Sequence, residues 1–226
     1  MTLVRIPTEL TTAATDLLLA VLAITAWVIL NRDGPDGLRG LLWRTVFVLL
    51  AITALLGAIA HGLVLGETAF ANIWRATYLG LSLLVAAFFL AALRDVMGDS
   101  AARRGSLVVT LVAFAAWTVF LVDPDNFLPF VIYEIMAMLF ALAGFVWLSI
   151  RGSLPGAGWI AASIAVNIVA AAIQASEAVS FTLIWPFDHN GVFHLVQMLG
   201  IASVSYTHLT LPTTKALCRS RWSPEQ

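Results

Sequence analysis

Charge is what this 226-residue chain has least of. Asp, Glu, Lys and Arg make up 11% of it, against about 25% in a soluble domain. So few charges cannot cover a soluble surface, and they leave no room for a disordered or coiled-coil chain. The formal net charge of -1 gives no basic footprint, so no nucleic-acid partner is expected. Lysine and cysteine are missing up to about Ala202. Without cysteine there is no disulfide, thiolate metal ligand or thiol nucleophile in that stretch. The Gly-x-Ser-x-Gly elbow, the phosphate loop, the His-Glu-x-x-His zinc motif and the glycosylation sequon are also absent. What remains is 61% hydrophobic, with a mean hydropathy of +0.94. That is the composition of an integral membrane protein.

The last residues differ in kind. Ser203–Gln226 brings Lys215, Cys218 and a polar, turn-rich run that interrupts an apolar segment. Val204–Thr213 back-translates to a transposase end with its adapter, and Cys218–Pro224 to a flow-cell adapter in reverse complement. Residues 203–226 are therefore expected to be a translated, non-native tail and residues 1–202 a single transmembrane domain. His208 and Cys218 carry no functional weight on that reading.

A membrane helix needs about 20 mostly apolar residues. Seven spans are expected: Thr11–Leu30, Leu41–Leu65, Arg75–Leu93, Ser106–Val122, Leu128–Ile150, Trp159–Ile184, and a truncated seventh from Gly191. Short connections rich in Gly, Pro, Asp and Asn join them, among them the run from Asp95 to Ser100. The fold class is thus all-α, a bundle of seven transmembrane helices with the seventh cut short. Let side A be the side on which the N-terminus lies. Side B then holds Arg32, Arg39, Arg44, Arg94, Arg103, Arg104 and Arg151, and side A only Arg5 and Arg75. The positive-inside bias makes side B the cytoplasm. The expected location is a bacterial inner membrane, N-terminus extracytoplasmic and native C-terminus cytoplasmic, with the lipid bilayer as the first partner.

The polar residues of the spans gather toward side A. They are His61, Glu67, Asn72, Tyr78, Tyr133, Glu134, Gln174, Glu177, Asp188, His189, Asn190, His194 and Gln197. Ser163, Asn167, Gln174 and Glu177 form one stripe of the sixth span, with Ala170 between. Asn190, His194 and Gln197 form another on the seventh. An ionised group facing lipid costs at least about 2.5–3.5 kcal/mol, so both stripes should turn inward and, with His61, enclose one polar pocket. Asp16, at the outer end of the first span, reads as a helix N-terminal charge.

His61, His189 and His194 are the only histidines before the tail. Three ring nitrogens and a water make a catalytic zinc site, with Glu134, Glu177 or Asp188 as base or outer-shell partner. Seven spans, a histidine late in the second and the run Asp188-His-Asn-Gly-Val-Phe-His194 opening the seventh resemble the CREST superfamily of alkaline ceramidases and adiponectin/progestin receptors. The resemblance implies a zinc-dependent hydrolase of a lipid-like amide or ester, of a diverged bacterial type. It implies His61 and His194 as metal ligands, with His189 or Asn190 completing the set. Asn190 stands where the family has a second histidine, and Gly57 where it has a serine. The family's aspartate near the start of span 3 is missing, with Asn72 and Glu67 nearest. Asn72, Tyr78, Tyr133, Asn167, Gln174, Asn190 and Gln197 would line the rest of the pocket. A receptor for a lipid-like ligand, a small transporter and a bis-histidine haem protein are the alternatives.

Overall fold

The computed structural model describes residues 2–124, 126 and 128–210, with side chains as far as Ser203. Seven helices fill it: α1 (Pro7–Asp33), α2 (Gly37–Gly62), α3 (Glu67–Met97), α4 (Asp99–Val122), α5 (Leu128–Ile150), α6 (Ala157–Ser176) and α7 (His189–Thr210). The first six are long and apolar enough to cross a membrane. This is a helical membrane protein. α7 runs past residue 202 without a break. Lys215 and Cys218 lie outside the described residues.

Local sequence accounts for the helix ends. Pro7 opens α1 at a position where no N–H is needed. Gly98 alone separates α3 from α4, at a φ of +90° that a side chain would resist. α3 consequently runs to Met97 and includes Asp95, which the sequence placed in a connection. α6 stops at Ser176, eight residues short of the expected Ile184. The remainder forms a small ribbon in which β1 (Phe181–Thr182) pairs antiparallel with β2 (Pro186–Phe187). Without a periodic polar face, that apolar stretch cannot be told from helix by composition.

Neighbouring helices in the chain pack together at every step except α4–α5, where contact is slight. α3 reaches past α4 to α5, and α7 returns to α1. The result is a ring of α1, α2, α3, α5, α6 and α7, with α4 outside it against α3. Small residues set the close approaches. Ala20, Ala23 and Ala26 of α1 pack with Trp43, Phe47, Leu50, Ala51 and Ala54 of α2 in one core that also takes in Ala141, Phe145 and Ile160. In lipid such packing replaces the hydrophobic drive that water would supply. α4 buries only Ala102 and Ala113, so nearly all its surface is left for the bilayer.

Two features fix the ends of the ring. On side A, the N-terminal segment before α1 bonds to the end of α2 and the residues after it through Val4 N–H to Gly62 O (3.1 Å) and Val64 N–H to Thr2 O (2.9 Å). On side B, the wholly buried carboxylate of Asp95 accepts from Arg39 (2.9 Å) and Arg94 (3.1 Å). Trp43 Nε1 donates to it as well, at 3.3 Å. Both arginines remain partly exposed, as expected of side chains reaching from a helix end toward water.

Candidate functional site

A cavity of about 590 Å³ lies in the side A half of the ring, and every ring helix contributes to its wall. α1 gives Asp16, α2 His61 and α3 Trp74 and Tyr78. α5 gives Glu134, α6 Gln174, and α7 His189, Asn190, His194 and Gln197. Glu177 stands at the same wall just beyond α6. Deeper, a second cavity of about 120 Å³ is lined mainly by apolar side chains of α2, α3, α5 and α6, with Trp43 among them. Glu134 and Gln197 line both spaces.

Asp16 is the residue the sequence misread. It sits nine residues into α1, about 14 Å along the helix axis, and is 4% exposed. It is no end-of-helix charge. Oδ1 is 3.3 Å from His194 Nε2, and Oδ2 is buried without a hydrogen-bond partner. The carboxylate lies directly on Gly57 of α2, where a Cβ would fall 2.9 Å from both of its oxygens. Gly57 is therefore the seat of Asp16. The signal was available: an acid inside an apolar span, in register with Thr12, Leu19 and Ala23 at steps of four, three and four.

Thr15 decides how His194 carries its protons. Thr15 Oγ1 donates to Thr12 O at 2.8 Å, since a carbonyl only accepts. The 3.0 Å contact between Thr15 Oγ1 and His194 Nδ1 is then a donation from Nδ1–H. This assigns the tautomer from the hydrogen-bond network. Nε2 is left facing Asp16 Oδ1 at 3.3 Å. Asp16 and His194 face each other at the wall of the cavity.

His61 is held differently. Its Nδ1 is 2.7 Å from Glu9 Oε2, and its ring meets Trp74 edge-on with centroids 5.5 Å apart. Glu9 and Trp74 are, with Thr12 and Thr15, the further contributors that the sequence reading passed over. They are visible only once α1, α2 and α3 are known to meet here.

The polar stripes of α6 and α7 do face each other. Gln174 Nε2 donates to Asn190 Oδ1 at 3.4 Å, and Ser163 Oγ donates to Gly200 O at 2.6 Å. Glu177 does not belong to the stripe. It follows the last residue of α6 with a φ of +52°, and it is exposed at the cavity mouth. Asp188, unlike Glu177, is not in the cavity wall. Its Oδ1 accepts Gly191 N–H (3.0 Å) and Thr12 Oγ1–H (3.1 Å), so it caps α7 and ties it to α1. Asn72 is exposed and accepts from Arg75 at 3.2 Å. Tyr133 donates its hydroxyl to Ser82 O at 3.0 Å. Asn167 lines the deeper cavity. These last three stand outside the larger cavity, whereas Tyr78, Gln174, Asn190 and Gln197 line it.

The histidines suit a metal only in part. His61 has the arrangement of a metal ligand, one ring nitrogen on a carboxylate and the other not so engaged. His194 is occupied at both nitrogens. Among the described residues no three His, Cys, Asp or Glu side chains are grouped as ligands.

One family model matches, over residues 11–206, and its description is a family of unknown function, DUF6962. The chain belongs to that family. No curated protein and no solved structure matches it. The DUF6962 match begins in α1 and ends within α7, so it covers every helix of the ring and all the cavity residues named above.

Proposed function

We propose that this DUF6962 protein is an inner-membrane protein of seven spans that binds an amphipathic small molecule from the extracytoplasmic side. The cavity itself carries the reading. It is about 590 Å³, within the range of ligand sites, and acid–base groups and aromatic rings share its wall. The apolar space beyond Glu134 and Gln197 gives a hydrocarbon portion somewhere to go. The arginine asymmetry supports side A as the outer face, with α7 as the seventh span.

The test uses the scarcity of cysteine. In a Cys218→Ser background, Ala175→Cys places one thiol in the cavity wall. A membrane-impermeant thiol reagent added outside right-side-out vesicles is expected to label it. A neutral dansyl-alkylamide is expected to slow the labelling. Labelling from the cytoplasmic face alone, or at a rate the amphiphile does not change, overturns the reading.

Zinc-dependent hydrolysis of a lipid-like amide or ester is the second reading. It is favoured by one observation, that His61, His189 and His194 line the same cavity. Metal analysis of purified protein tests it directly. About one zinc per chain, lost in both His61→Ala and His194→Ala, would support it. Folded protein without zinc would remove it.

A further inference from the structure

The cavity wall is unbalanced in charge and in hydrogen-bonding capacity. Asp16, Glu134 and Glu177 bring carboxylates to it, and none of the described lining residues is Arg or Lys. Two of its acceptor atoms, Asp16 Oδ2 and Gln197 Oε1, are buried without a hydrogen-bond partner. Asp16 as a whole is more than nine-tenths buried. Leaving such atoms unpaired is costly, and a ligand that donates hydrogen bonds relieves the cost.

Glu134 is the clearest case. It lines both cavities where they adjoin. The other buried or half-buried carboxylates are spoken for: Asp16 by His194, Glu9 by His61, Asp95 by two arginines and Asp188 by α7. Around the same space stand Trp74, Tyr78, Phe130 and Phe193. Trp74 and Tyr78 are near neighbours, with centroids 6.0 Å apart, and Tyr78 meets Phe130 edge-on at 5.9 Å. Carboxylates and aromatic rings in the wall of one cavity are the recognition chemistry of organic cations.

We infer that the polar end of the ligand is an ammonium group, held by Glu134 among Trp74, Tyr78 and Phe130. This rests on the ligand-binding reading above and names the chemical class that the cavity takes. A metal ion would leave the aromatic wall without a purpose. A carboxylate or phosphate would meet three acids, with no Arg or Lys among the described lining residues and only the imidazoles of His61, His189 and His194 to answer it.

The test compares four probes of one chain length: hexylammonium, hexyltrimethylammonium, 1-hexanol and hexanoate. Each is titrated against the labelling rate of Ala175→Cys (Cys218→Ser background) in nanodiscs of a neutral glycolipid, which contains no ammonium. The two cations are expected to protect the thiol at concentrations at least tenfold below the alcohol and the carboxylate. Glu134→Gln should erase that advantage while the alcohol protects as before. Should Glu134→Gln fail to fold, the ranking of the four probes on the otherwise native cavity still decides. Equal or better protection by hexanol or hexanoate overturns the ammonium assignment and leaves ligand binding standing. Protection by none of the four, and none by the dansyl-alkylamide, overturns both. Adding phosphatidylethanolamine to the nanodiscs separates the two sources of such a group. Slower labelling without any probe identifies the lipid headgroup as occupant, and an unchanged rate identifies a soluble amine.

Discussion

The contact between Gly57 and Asp16 yields a prediction whose sign depends on the partner. An alanine Cβ at position 57 would lie 2.9 Å from both carboxylate oxygens of Asp16 and 3.0 Å from its Cγ. No such separation is tolerated, so the carboxylate must move off α2. Overpacking of this kind costs about 1–3 kcal/mol. Against it stands the ordinary preference of a helix interior for Ala over Gly, about 1 kcal/mol. Gly57→Ala should therefore destabilise the native protein by about 0–2 kcal/mol, the difference of the two effects. In an Asp16→Ala background the obstacle is gone, and the same substitution should stabilise by about 1 kcal/mol. The coupling between the two sites is then about 1–3 kcal/mol.

Reversible unfolding in mixed micelles, titrated with dodecyl sulfate and followed by circular dichroism, supplies the four free energies. Asp16→Ala will itself be destabilising, by about 1–3 kcal/mol, because His194 Nε2 loses its partner. The cycle removes that common cost. Gly57→Ala effects of the same sign and size in both backgrounds would refute the packing argument, and with it the claim that Gly57 exists to seat the acid.

Three further outcomes follow from the same geometry. Asp188→Ala removes the cap of α7 and its tie to Thr12, and should cost about 1–2 kcal/mol in the same assay; Thr12→Val, which loses only the tie, should cost about 0.5–1.5 kcal/mol. Asp95→Asn weakens the junction of α2 and α3 on side B. The arginines stay partly solvated, which reduces the loss to about 1–3 kcal/mol, below that of a fully buried pair. Thr15→Val deprives His194 Nδ1–H of its acceptor, so ring ¹⁵N NMR should show a single Nδ1–H form in the native protein and a mixture of tautomers in the variant; an unchanged spectrum would refute the tautomer assignment.

How much of this was legible in the sequence depended on the kind of signal. The apolar spans could be read because membrane helices advertise themselves by composition. The pairing of the α6 and α7 stripes could be read because Gln174 and Asn190 fall on 3.6-residue periods that can only turn inward. The end of α6 could not, since Ala178–Ile184 is as apolar as the helix before it and ends the helix without a proline or glycine. Asp16 was misplaced because its proximity to the N-terminus suggested an end position, whereas α1 starts at Pro7 and carries the acid well inside. Asp188 was given chemistry, although an acid two residues before Asn190 and three before Gly191 is equally the signature of a helix cap. Gly57 looked like a missing serine until the neighbouring helix was known. A glycine has no side chain to announce what it makes room for.

The acids of the bundle, taken together, show why one of them stands apart. A carboxylate within or beside a membrane span must be neutralised, capped or used. Asp95 is neutralised by Arg39 and Arg94, and both arginines reach the side B surface. Glu9 is matched to His61 across the α1–α2 contact. Asp188 has a helix to cap. Asp16 faces His194 Nε2 at 3.3 Å, a pairing that neutralises the acid when the imidazole is protonated. Each solution draws on a neighbouring helix, and each therefore stabilises the ring. Glu134 has none of these solutions and stands where the polar and apolar cavities meet. An apolar side chain there would carry no electrostatic cost, whereas an acid in this position does. On the ammonium reading proposed above, the compensation for Glu134 comes from the ligand that enters the cavity.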